Sequence, residues 1–175
     1  IFDEKREELS KRFVPAFMRQ IQGIESELEV FHALRSVKQE NTPKGEPLVT
    51  AMQQIGSGGI LASLWELTEA ANVGMQIEMS RISIRQECVE VCEYYHLNPY
   101  QMTSAGTVLM VTRDGNALVR CLEESGARAS VLGVTTADHA KVITSGDEVR
   151  YLDRPAPDEL MRWWEEQAQK EVRSE

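Results

Sequence analysis

The chain has no uninterrupted apolar run near the roughly 18 residues that a membrane-crossing helix requires, and no basic-then-apolar leader of the secretory kind. Neither a membrane partner nor export is expected. Positive charge is in short supply, with 19 Lys and Arg against 28 Asp and Glu and a net charge of -9. Such a surface repels a phosphodiester backbone, which argues against nucleic acid as a partner. Cysteine is scarce and odd in number: Cys88, Cys92 and Cys121. A chain of 175 residues can build a core without covalent staples, so reduced thiols and a cytoplasmic setting are expected. The first residue is Ile1 rather than Met, which leads us to expect a piece of a longer polypeptide.

Two nucleotide signatures are also missing. No Lys-Ser/Thr pair follows a glycine turn, which removes the P-loop, and Gly-x-Gly-x-x-Gly does not occur, which removes the simplest dinucleotide fingerprint. What the chain does carry is QQIGSGGILASLWE, Gln53 to Glu66, where Gly56, Gly58 and Gly59 separate an alternating stretch from a helical one. Glycines let an anion approach the main chain, and free amides at a helix start carry partial positive charge. Ser57 adds a hydroxyl. On these grounds Gly56, Ser57, Gly58 and Gly59 are candidate phosphate or nucleotide contacts. A plain strand-to-helix turn explains the same residues.

Hydrophobic periodicity supplies the frame. Residues 3–39 read as helical with a break at Gly23, carried by Phe13, Phe17, Ile21 and Ile24, then by Leu28, Phe31, Leu34 and Val37. Asn41 to Pro47 is turn-rich, and we place a boundary there: residues 1–46 as a helical segment, 47–175 as a separate domain. Strands are expected over 48–55, 74–79, 106–112, 129–134, 141–145 and 148–152. Helices are expected over 59–72, 84–95, 116–125, the last closed by Gly126, and from Pro157 beyond Gln169. Alternation with short connections implies an α+β domain, an α/β sandwich with a mixed sheet and helices packed on it.

Three blocks together carry a resemblance. QQIGSGGILASLWELTEAANVGMQIE, HLNPYQMTSAGTVLMV and GARASVLGVTTADHAKVI are similar, in order and spacing, to the C-terminal domain of the aminoimidazole ribonucleotide synthetase superfamily. The likeness covers about residues 48–152 and is nearest to synthetase-related and hydrogenase-maturation members. It implies an α/β sandwich with partial ferredoxin-like topology. It also implies ATP and Mg chemistry in a full-length, homodimeric protein whose N-terminal domain holds most of the nucleotide site. ATP, that missing domain and an unidentified small-molecule or protein substrate are the partners it suggests. Within it, Gly56 to Gly59 match the glycine loop, and Ser104 and Gly106 match a loop beside the cleft. The family's acidic or His position and its Thr are replaced here by Gln53 or Gln54 and by Gly56. Val172 to Glu175 carry no Cys, so a carbamoyl-carrier role is not expected. A catalytically inactive binding or regulatory module stays open beside the enzyme reading.

Other candidates have ordinary explanations. Cys88, Cys92 and His96 fall at i, i+4 and i+8, but eight residues of helix rise about 12 Å, too far for a single ion. No metal site is expected. Asp138-His139 reads as a solvated loop, and Trp163-Trp164 as the face of the last helix laid on the sheet. Glu25, Glu27 and Glu29 read as a solvated face.

Overall fold

In the computed structural model, residues 1–24, 30–37 and 40–174 are described; Glu25, Glu27, Glu29 and Leu28 lie outside them. The described residues of the N-terminal part form three helices, α1 (Arg6–Arg12), α2 (Pro15–Gln22) and α3 (Val30–Val37). The break between α1 and α2 lies at Val14, which the following proline holds extended at φ -69, ψ 153. Gly23, where a break was expected, caps the end of α2, and the next described α-helix begins at Val30. Phe13 and Phe17 stack across the corner, their ring centroids 4.6 Å apart.

From Leu48 onward the order is β1 (Val49–Gln54), α4 (Gly59–Ala71), β2 (Gly74–Glu78), α5 (Gln86–Tyr94), β3 (Val108–Thr112), α6 (Gly115–Glu124), β4 (Gly133–Thr136), β5 (Lys141–Ser145), β6 (Glu148–Tyr151) and α7 (Glu159–Ser174). The strands form two sheets. β1 and β3 make an antiparallel pair, and the other four run in the order β4-β2-β5-β6, with β2 and β5 parallel and the flanking pairs antiparallel. This mixed α+β architecture agrees with the expected fold class.

β4 starts later than its expected position at 129–134. Residues 130–132 meet the last residue of β2 and the 3-10 turn after it: Ser130 Oγ donates to the Arg81 carbonyl, and Leu132 O accepts from Glu78 N–H. Pairing with β2 begins only at Gly133 opposite Ile77.

The main core joins α4 to the four-stranded sheet through Leu64, Met75, Ile77 and Ile143, with Ile55 and Leu109 contributed from beside β1 and from β3. A second cluster packs α3 on α6 around Val37, Leu48, Leu118 and Leu122. A third holds α7 to α5 around Cys92, Leu97 and Trp163. Trp163 was expected to cover the sheet; it lies edge-on to Tyr95 of the α5 end at 5.8 Å, within the helical layer. Trp164 is 42% exposed and donates to Glu4 on the N-terminal side.

Three helices end in the same way, on a left-handed residue. For α6 it is Gly126, as expected, with Ala127 N–H reaching back to the Leu122 carbonyl. For α4 it is Asn72, and for α5 it is His96 at φ +55. His96 therefore sits beyond α5 rather than on the helix face that carries Cys88 and Cys92. Because a Cβ opposes this conformation, His96→Gly should stabilise the chain by about 0.5–1 kcal/mol, net of the added freedom of the unfolded chain. Urea denaturation checks it, and an unchanged or lower midpoint would contradict the assignment.

Candidate functional site

The glycine turn begins where β1 ends. Ile55 N–H donates to the Thr107 carbonyl at 3.0 Å, which brings the second candidate loop, Ser104 to Gly106, alongside the first. That loop is closed on itself by a 2.7 Å bond between the Ser104 and Thr107 hydroxyls, with Gly106 at φ +77.

Gly58 and Gly59 take φ of +79 and +69 in succession, a path that side chains strongly disfavour. Space forbids a side chain as well. A Cβ on Gly59 would lie 2.5 Å from the Tyr100 carbonyl oxygen and 2.6 Å from Met102 N. The close neighbour that Gly59 admits is the chain's own 3-10 turn at Pro99–Gln101, whose cap is Asn98, whereas a Cβ on Gly58 would meet Ala62 Cβ at 2.7 Å. Both glycines are buried, whereas Gly56 and Ser57 are exposed, and a Cβ at Gly56 would meet nothing within 4 Å.

Nor are the inner amides open. Gly59 N–H donates to the Gly56 carbonyl at 3.1 Å. Gly58 N–H donates to Asp158 Oδ2 at 2.8 Å. Asp158, only 4% exposed, is the residue that sequence reasoning missed. Its Oδ2 also accepts from Thr103 N–H at 2.8 Å and from Thr103 Oγ1 at 2.7 Å. Its Oδ1 accepts from Leu160 N–H at 2.9 Å and Met161 N–H at 3.3 Å, capping α7. Burial pushes this carboxyl up, but the bonds from Thr103, Gly58 and Met161 outweigh it and hold the group below the usual aspartate value. Proline followed by Asp and Glu before an apolar stretch is a legible helix start. What no local signal gives is that the cap reaches the glycine turn. Next to it, Glu159 Oε2 accepts from Asn98 N–H at 3.3 Å and from Arg162 Nη2 at 2.6 Å.

At the altered family position, Gln53 Nε2 donates to Glu66 of α4 at 3.0 Å. The remaining candidates are structural. Asp138 Oδ1 accepts from Thr136 Oγ1 and Ala140 N–H, both at 3.0 Å, and so closes the β4–β5 turn, with His139 exposed. Burial, aided by Cys88 and Glu159, pushes the Cys92 thiol up to about 11, and it contacts Met102 Sδ at 3.5 Å, so it is no ready nucleophile. Among the described residues, no three His, Cys, Asp or Glu side chains come together as a metal cluster, and no helix is long and apolar enough to cross a membrane. Within the glycine turn, Gly56 and Ser57 are the exposed residues, while Gly58 and Gly59 are buried with their amides already bonded.

The site is thus two loops pinned against a helix start on a mixed α+β scaffold. Sequence comparison gives the family directly: the family described as AIR synthase related protein, C-terminal domain, matches residues 4–145, and the chain belongs to it. A putative hydrogenase expression/formation protein of Methanocaldococcus jannaschii is 30% identical over 120 residues, covering 65% of this chain and 36% of that protein. The carbamoyl dehydratase HypE of Rhodobacter capsulatus is 26% identical over 123 residues, with 66% and 36% covered. Among solved structures, Escherichia coli HypE superposes with a TM-score of 0.61 at 22% identity, over 76% of this chain and 40% of that one. HypE in complex with ATP gives 0.57 at 14% identity, over 63% and 37%. The chain thus spans little more than a third of the length of these relatives.

Proposed function

We propose that this chain is the C-terminal domain of an ATP-dependent, HypE-like maturation enzyme, and that it presents Gly56 and Ser57 to a nucleotide or phosphorylated substrate. Gly58 and Gly59 shape that turn, and Ser104 and Gly106 flank it. Residues 1–46 connect to a preceding domain, which supplies the Mg ligands, most of the ATP site and the contact of a homodimer. The fragment alone does not turn over. Its setting is the cytoplasm, and its substrate is a small molecule or a partner protein; a solved HypE–HypF complex supports the latter. The observation that carries the reading is the family match over residues 4–145, which contains an exposed Gly56–Ser57 at the start of α4.

Titration calorimetry of Mg-ATP into the full-length protein tests it. Ser57→Asp places a negative charge beside the expected phosphate without entering the core, and should weaken binding roughly tenfold or more, at unchanged melting temperature. Absence of heat, or affinity indifferent to this change, would reject the reading. One observation favours the alternative, a non-catalytic module that keeps the fold: the Gly58 amide is already taken by Asp158. Mg-ATP binding with no nucleotide turnover by the full-length protein would decide for that alternative.

A further inference from the structure

We propose that Asp158 is a positioning residue for the ligand-facing turn, so that helix α7 belongs to the site although it lies outside the residues matched by the family. The proposal rests on the reading of Gly56–Ser57 as ligand-facing.

The geometry is specific to a carboxylate. One oxygen, Oδ2, takes donors from two separate loops, Gly58 N–H at 2.8 Å and Thr103 N–H and Oγ1 at 2.8 and 2.7 Å. Gly58 adjoins the exposed Ser57, and Thr103 adjoins Ser104. The other oxygen takes the first amides of α7. Each of the five groups bonded to the carboxylate is a donor, on both sides. An asparagine has one acceptor oxygen and one NH2. Whichever way it turns, it sets donors against donors, either on the loop side or on the helix side. Charge and shape together fix the spacing between the two loops, and with it the direction in which Gly56 and Ser57 face.

The test measures Mg-ATP affinity of the full-length protein by calorimetry, at a temperature where circular dichroism shows each variant folded. Asp158→Asn should weaken binding roughly tenfold, the loss of about one charge-assisted hydrogen bond's worth of order. Thr103→Val, which removes one donor and leaves the fold's core alone, should weaken it less. The distinguishing readout is coupling: Ser57→Ala should weaken binding in the parent and have no further effect in the Asp158→Asn background. If Asp158→Asn and Thr103→Val melt earlier yet bind like the parent, with the Ser57 effect intact, Asp158 only supports the fold and the proposal is overturned. Tighter binding by Asp158→Asn would also overturn it, because the carboxylate would then be a competitor of the ligand. If affinity in the parent ignores Ser57 altogether, the reading of the turn itself fails, and this proposal goes with it.

Discussion

Asp158→Ala should destabilise the domain by about 3 kcal/mol, the sum of a lost helix cap near 1 kcal/mol and of buried donors left without an acceptor at roughly 1–3 kcal/mol. The Gly58 amide is the costly one. It is buried, whereas Thr103 is exposed and can turn to water. For a chain of 175 residues this corresponds to a fall of about 6–12 °C in melting temperature. Acidity gives a second test. The folded carboxyl titrates below its unfolded value of about 3.9, so its contribution is complete at neutral pH and fades as pH falls through the lower, folded value. The stability difference between parent and Asp158→Ala should therefore shrink below about pH 4. A variant within 0.5 kcal/mol of the parent at pH 7, on the order of an ordinary surface change, would show that the five hydrogen bonds to this carboxylate do not hold the loops.

Gly59→Ala should cost as much or more, about 2–5 kcal/mol. Left-handed backbone in a residue with a Cβ contributes about 1–2 kcal/mol, and forced overpacking typically 1–3. Relief is hard to find. The atoms facing the new methyl are the Tyr100 carbonyl oxygen, Met102 N and Gln101 C, all main chain, at 2.5 to 2.8 Å. Either the turn at Pro99–Gln101 moves away or α4 starts later, and both moves disturb Asp158. Gly56→Ala is the control. It has open space and no left-handed backbone, and should change stability by less than about 0.5 kcal/mol. Urea unfolding of the two variants side by side measures the contrast; equal effects would refute the account of the turn.

The sequence revealed what depends on neighbours along the chain. The β5–β6 hairpin, the start of α4 and the Gly126 stop of α6 are written in adjacent residues, and each is found where expected. The split into two sheets was not legible, because pairing between β1 and β3 is decided about 60 residues apart, after α4, β2 and α5 have intervened. His96 escaped because histidine marks a left-handed position only weakly, whereas Gly126 declares itself. The stop at Gly23 was legible, but the further corner at Val14, signalled by Pro15, was passed over. At the site, glycine was rightly singled out as a place of close approach. What approaches was not legible: the partner of Gly58 is a carboxylate encoded 100 residues later.

That separation has a consequence during synthesis. Chains emerge N-terminal end first and fold as they emerge, and joining distant segments carries a loop-closure cost. Strand β1 and helix α4 can form early, but the Gly58 amide has no carboxylate until residue 158 has been translated and has cleared the ribosome. The nascent domain therefore passes through a stage with its core largely assembled and this corner still unfastened, and a truncation just before α7 would leave it so permanently.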